Sequence, residues 1–236
     1  MAFSHSSKGR LTVRDLQRFP GQSLFDRLAR TVCHAGCLPR KELFEAWEVA
    51  RRVRRLFRGG RIVDLAAGHG LLAHVLMILD DSSPSALVVD TALPKSSATL
   101  HQALVDVWPR LEDRIVFEQR SLDSVALSAD DLVVSAHACG ALADLVLERA
   151  AAARARVAVL PCCHDLTRND AGSLRGWIDA ALAVDVMRAV RLEDEGYRVR
   201  TVTIPAAITP KNRLLIAAPR SPEISPALSS RQTPAG

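Results

Sequence analysis

Aromatic residues are scarce: one tyrosine, three tryptophans and six phenylalanines make up 4% of 236 residues. So thin a supply argues against an extended platform on which nucleic-acid bases stack. No window holds 18 uninterrupted apolar residues, so no membrane-spanning helix is expected. The stretch from Met1 to Arg10 is polar and lacks an apolar h-region, so no secretory signal is expected there. Five cysteines without an export signal read as reduced thiols of a cytoplasmic protein, not as a disulfide frame. Internal repeats are absent. The run Cys33-His34-x-x-Cys37 has no second pair beside it and reads as core packing or a surface turn, not a metal site.

What is present is a core. Apolar residues make up 48% of the chain and charged ones 24%, enough for one sizeable globular domain with a small appendage. The net charge of +5 is unevenly placed. Residues 1–61 carry 14 Lys and Arg against 5 Asp and Glu, a net of +9, while residues 62–236 carry 17 against 21, a net of −4. Basic character peaks at Arg51, Arg52, Arg54, Arg55 and Arg58. A basic lobe beside an acidic domain suits a polyanionic partner such as RNA, and it equally suits a solvated helix face.

Hydrophobic spacing predicts helices over 22–35 and 39–57, stopped by Gly59-Gly60. From residue 61 the rhythm changes. Short apolar runs at 62–66, 86–89, 114–118, 132–136 and 157–160 alternate with helical stretches at 71–79, 94–107 and 141–153. Strands separated by helices imply βαβ units and a parallel sheet covered on both faces. Helices are expected over 173–184 and 186–195, then two runs, 197–204 and 213–217, with no helix between them. These read as a closing antiparallel pair. The expected division is a mobile start (1–10), a basic helical lobe (11–60), an α/β domain with a Rossmann-like sheet (61–218) and a disordered tail (219–236).

The segment Val63-Asp64-Leu65-Ala66-Ala67-Gly68-His69-Gly70 ends a strand and opens an apolar helix. Small residues there let the backbone approach a ligand, and helix N–H groups face its polar atoms. Asp90 ends the second strand, where a carboxylate accepts both ribose hydroxyls of an adenosine. Strand end, small-residue turn and second-strand acid together indicate an adenosine cofactor. Gly68-x-Gly70-x-x-Ala73 also fits a dinucleotide fingerprint loosely, which keeps an NAD-dependent oxidoreductase as an alternative.

Asp64 with Ala66-x-Gly68-x-Gly70 resembles the first motif of class I S-adenosylmethionine-dependent methyltransferases, with Ala66 standing where that family carries its first glycine. The resemblance implies a Rossmann-like, mostly parallel sheet with a closing antiparallel hairpin, and S-adenosylmethionine as cofactor. It implies cofactor contacts at Asp64, Ala66, Gly68, His69, Gly70, Asp90, Leu122, Asp123 and Ser135, Asp123 falling where the family reads the adenine amino group. Two further segments, His137-Ala138-Cys139-Gly140 followed by Asp144 and Leu147, and Pro161-Cys162-Cys163-His164, are similar to one subgroup. It contains the eukaryotic zinc-finger tRNA ribose methyltransferases and the methyltransferase domain of the glutathione-S-transferase-C-terminal-domain-containing protein. The similarity covers residues 39–218, and includes a Lys41…Glu45 element and a Pro210-x-Asn212 element. The zinc-finger module has no counterpart, and the subgroup's usual Thr before the Asp is Ala143 here.

Acceptor chemistry is therefore expected from His137, Cys139, Asp144 and Cys162. His137 or Asp144 would orient or deprotonate a hydroxyl or amine for attack on the sulfonium methyl. Cys139 or Cys162 as nucleophile on a pyrimidine, a zinc site, and plain burial of the thiols are the competing readings; no metal is expected. The expected function is methyl transfer to RNA, with a ribose hydroxyl as acceptor. The alternatives are a small-molecule or protein methyltransferase and a non-catalytic RNA-binding module.

Overall fold

The computed structural model describes residues 4–161 and 163–220. A 3-10 turn (Val13–Arg18) leads into two N-terminal helices, α1 (Leu24–Ala35) and α2 (Arg40–Arg54). A Ser23 hydroxyl capping Asp26 N–H starts α1, and Gly36 in the left-handed conformation ends it. Residues 4–10, expected to be mobile, are tied to the start of α2: Arg40 and Lys41 N–H groups donate to Gly9 and Ser7 carbonyls.

The α/β part follows as β1 (Ile62–Leu65), α3 (Leu71–Leu79), β2 (Ala86–Asp90), α4 (Ser97–Val107), β3 (Ile115–Gln119), β4 (Leu132–Ser135), α5 (Ala141–Ala152), β5 (Arg156–Val159), α6 (Ala180–Asp194), β6 (Tyr197–Thr203) and β7 (Arg213–Pro219). The seven strands lie in the order β3-β2-β1-β4-β5-β7-β6. The first five are parallel, and β7 runs antiparallel to both β5 and β6. This is the expected Rossmann-like sheet with its closing hairpin.

Alternation along the strands divides the core in two. Ile62, Val88 and Val134 face one apolar cluster with α1, α2, α3 and α4 residues such as Val32, Leu43, Leu76 and Leu104. Val63, Val89 and Val133 face the other, with Val146, Leu147 and Leu192 of α5 and α6. The sole tyrosine, Tyr197, is fully buried, and its hydroxyl donates to the Ala150 and Ala155 carbonyls, pinning β6 under α5.

Two expectations need correction. The two helices expected over 173–184 and 186–195 are one, α6. It starts only at Ala180, because Gly172 and Gly176 adopt positive φ and Asp179 supplies the cap through Leu182 N–H. Pro219, placed in the expected tail, closes β7 opposite Tyr197; residues 221–236 lie outside the described ones.

Candidate active site

The parallel strands all deliver their C-terminal ends to one edge, and the glycine turn lies there between β1 and α3. Ala66 has φ 53°, and Gly68 and Gly70 have φ 55° and 74°. Three left-handed residues in five coil the chain tightly enough for the first turn of α3 to face the strand ends. A Cβ on Gly70 would lie 2.8 and 3.0 Å from the two Val88 methyls, so glycine is required there. A Cβ on Gly68 would meet only His137 Cδ2, at 3.8 Å. Gly68 therefore leaves open backbone for a ligand.

The cofactor candidates separate into those facing this opening and those behind it. Asp90 Oδ2 accepts Gly68 N–H at 2.9 Å and Oδ1 accepts Ala92 N–H at 3.1 Å. Each oxygen keeps a lone pair, which suits a ribose diol. Asp64 is 1% exposed and accepts Ala73 N–H at 3.2 Å, so it caps α3 from β1; burial holds its pKa well above the ordinary range. Ser135 is fully buried, and its hydroxyl accepts Ala138 N–H. Asp64 and Ser135 thus brace the loops from behind. Leu122 is buried and Asp123 exposed on the turn after β3, next to the Asp90 edge through Arg120 N–H to Asp90 O. The residues present fit an adenosine-bearing ligand: an open glycine backbone, a part-satisfied carboxylate and an apolar turn.

The N-terminus of α2 roofs this opening. His69 Nε2 meets Ser96 Oγ at 3.0 Å, and its Nδ1 lies 4.0 Å from Glu42 Oε2. Lys41 Nζ pairs with Glu45 Oε1 at 3.0 Å, and Thr209 of the β6–β7 loop hydrogen-bonds Glu45. Glu45 is only 4% exposed, so this is no surface pair. Burial first, then the Glu45 charge, push Glu42 up to about 7, against the opposing pull of Lys41. Glu45 is also raised by burial. His137 and His69 are both lowered, chiefly by burial, His137 also by the nearby Lys41 charge and His69 by Arg10. Neutral imidazoles and a carboxyl poised near neutrality thus surround one opening.

Of the acceptor candidates among the described residues, His137 stands at this opening, beside Gly68, His69 and Lys41. Cys139 is disulfide-bonded, against the expectation of reduced thiols. The sheet brings the two Cys-bearing loops together: β4 and β5 are neighbours, and a parallel backbone bridge joins Cys139 to Cys163, whose own thiol is free and exposed. An oxidised sulfur is no nucleophile. Cys162 lies outside the described residues. Asp144 is taken up by α6 and the loop after β5. Arg188 holds it from α6, with Nε–Oδ1 2.7 Å and Nη2–Oδ2 3.1 Å, and Asn169 donates to it as well. Arg188, 2% exposed, also donates to Gly140 O and to Asp185, and His164 Nε2 donates to Asp185 at 2.7 Å. Asp144 is therefore an anchor of the His137–Gly140 loop. Cys33 and Cys37 are buried free thiols whose pKa burial raises, as core packing implies.

Sequence reasoning missed Glu42, Asp185 and Arg188. A signal existed for Glu42: it stands one turn before Ala46 and two before Val49 on the buried stripe of α2. The basic run fares differently. Arg54 is 6% exposed and bonded to Leu76 O and Ser83 Oγ, Arg51 and Arg52 pair with Glu48, and Arg58 pairs with Asp80. Arg58 and Gly59 carbonyls accept from Arg156 at the start of β5. The run therefore lies at the opposite edge of the sheet, at the far end of a 15-residue helix that is roughly 22 Å long. No helix among the described residues is long and apolar enough to cross a membrane.

A family model described as a methyltransferase domain matches residues 47–170, more than half of the 236 residues. A curated relative, the glutathione S-transferase C-terminal domain-containing protein of Xenopus laevis, is 25% identical over 203 residues, covering 68% of this chain and 31% of its own length. Among solved structures, an O-methyltransferase family protein from Burkholderia thailandensis superposes with TM-score 0.51 at 19% identity, over 90% of this chain and 64% of that one. Mitomycin 7-O-methyltransferase superposes with TM-score 0.50 at 17% identity, over 87% and 60%. The chain spans less than two thirds of each of these relatives, and the structural likenesses concern the fold. With the family match, the strand order and the glycine turn agreeing, the chain belongs to the S-adenosylmethionine-dependent methyltransferases.

Proposed function

We propose that this enzyme methylates RNA, at a ribose hydroxyl, in the opening between the glycine turn and the N-terminus of α2. The observation that carries the reading is Glu42, a carboxyl pushed up to about 7 over the turn that receives the cofactor. When bound, S-adenosylmethionine supplies an electrophilic methyl and a neutral thioether leaving group. Asp90 would hold the ribose of the cofactor, and Gly68 would offer it open backbone. Glu42 accepts the proton of the acceptor hydroxyl as its oxygen attacks the methyl carbon; a base with pKa near the working pH is best matched to that transfer. His137, kept neutral, orients the hydroxyl. The α2 roof excludes water, which would otherwise compete as acceptor.

The charge that favours RNA is not the arginine run, which lies at the far edge. Arg10, Lys95 and Lys211 instead sit on segments that border the opening: Arg10 acts on His69, Lys95 precedes the His69-bonded Ser96, and Lys211 follows the Glu45-bonded Thr209. These three are suited to phosphates.

The test is transfer of labelled methyl from S-adenosylmethionine to the RNA, protein and small-molecule fractions of a cell extract. Ribonuclease-sensitive label is expected. It should fall at least tenfold in the triple Ala variant of Arg10, Lys95 and Lys211, with a shallower salt dependence, and persist in an Arg51→Ala, Arg55→Ala variant. Label confined to the small-molecule or protein fraction overturns the RNA reading. The far-edge position of the arginine run is the one observation that favours a small-molecule acceptor.

A further inference from the structure

A cavity of about 490 Å3 opens between α6 and the upper ends of β6 and β7, on the sheet face away from the glycine turn's helix α3. Its walls are mostly aliphatic, Val186 and Ala189 from α6 and Leu215 from β7 among them. Its size and lining match those of small-molecule sites. The polar groups gather at the strand-end side, where Asp185, Arg213 and Thr203 line it.

The state of those groups selects the ligand. Asp185 is held by three donors: Oδ1 accepts from His164 Nε2 and Arg188 Nη1, and Oδ2 accepts Arg213 Nε at 2.6 Å. These contacts outweigh burial and hold its carboxyl below the ordinary range, so it is a fixed anion. Arg213 gives Asp185 only its Nε–H. Its two terminal nitrogens and the Thr203 hydroxyl make no hydrogen bond among the described residues. The charges of Arg188 and Arg213 balance those of Asp144 and Asp185, and His164 adds a further buried imidazole whose Nδ1 has no hydrogen-bond partner among the described residues. A guanidinium fork with a free face, at the mouth of an aliphatic cavity, matches a carboxylate geometrically.

We propose that this cavity is a binding site for a small amphipathic carboxylate, its apolar body between α6 and the β6–β7 hairpin and its headgroup on Arg213. The cavity shares no lining residue with the glycine turn or the N-terminus of α2, and the proposal does not depend on the RNA reading.

The experiment titrates the full chain with decanoate and with decanol as its uncharged counterpart, by calorimetry. Decanoate is expected to bind at least tenfold more tightly than decanol. Arg213→Gln should remove that preference, leaving the two equal. Because Arg213→Gln also breaks the Asp185 pair, a second variant, Ala189→Trp, fills the cavity from the half-buried face of α6 and should abolish binding of both probes. Equal binding of decanoate and decanol by the unaltered chain overturns the headgroup assignment. Unchanged decanoate binding in Ala189→Trp places the ligand elsewhere and overturns the site.

Discussion

Glu42→Gln separates stability from catalysis in one substitution. Burial moves the Glu42 carboxyl from its ordinary 4.5 to about 7. Each tenfold change in proton affinity is worth about 1.4 kcal/mol, so ionising this group in the folded chain costs roughly 3 kcal/mol. The side chain keeps 26% of its exposure, and solvent screening reduces the cost to about 2 kcal/mol. The sign follows from the raised value. Below pH 4.5 the carboxyl is protonated in both states and nothing is lost. Between 4.5 and 7 the unfolded chain releases its proton first, so stability falls as pH rises, and above 7 the full cost is present. The amide has no such cost. Glu42→Gln should therefore match the unaltered chain near pH 4 and gain about 2 kcal/mol at pH 8, a rise in Tm of about 4–8 °C for a chain this size. If Glu42 takes the acceptor proton, the same variant should lose about a hundredfold or more in kcat, together with the limb of the pH–rate profile that rises near 7. Denaturant melts at pH 4 and 8 and single-turnover methyl transfer read both effects. A variant no more stable at pH 8 refutes the buried carboxyl; a stable variant with full activity refutes the base.

The remaining expectations concern the turn, the histidine behind it and the charge network. Ala66→Gly relieves a left-handed alanine and should raise stability by about 1 kcal/mol in chemical denaturation, whereas Gly70→Ala, with its Cβ 2.8 Å from Val88, should lose several times that. His74 is fully buried, donates Nδ1–H to Gly70 O at 2.7 Å, and is lowered from 6.5 to about 4, chiefly by burial. Its contribution is whole above pH 6.5 and is lost as pH falls towards 4, roughly 3 kcal/mol; stability–pH curves of His74→Gln should lack that drop. Arg188→Met leaves Asp144 and Asp185 with one buried partner fewer and should cost about 3–5 kcal/mol, seen as a lowered midpoint in urea.

The alternation of short apolar runs with helical stretches made the sheet legible, because period and strand length are local properties. The closing hairpin was readable because no helical stretch separates 197–204 from 213–217. The start of α6 was not: the helical composition of 173–179 is overruled by two positive-φ glycines and a cap at Asp179. At the site, the glycine turn and Asp90 were legible, since their spacing along the chain is their placement in space. The partners of Asp144 were not legible, because they depend on Arg188, 44 residues away in α6. The pairing of the arginine run was not legible for a similar reason. Charge can be counted along a sequence, but pairing with Glu48 and Asp80 and position at the far edge cannot.

What the sequence determined alone was therefore the order of elements, the cofactor turn and the family. These rest on interactions between residues a few positions apart and on the steric demands of single glycines. Tertiary structure decided which side chains share the opening. The N-terminus of α2 lies over a turn more than twenty residues downstream only because its apolar face packs on α3. That packing buries Glu42 and Glu45 and removes the water that would hold their carboxyls in the ordinary range.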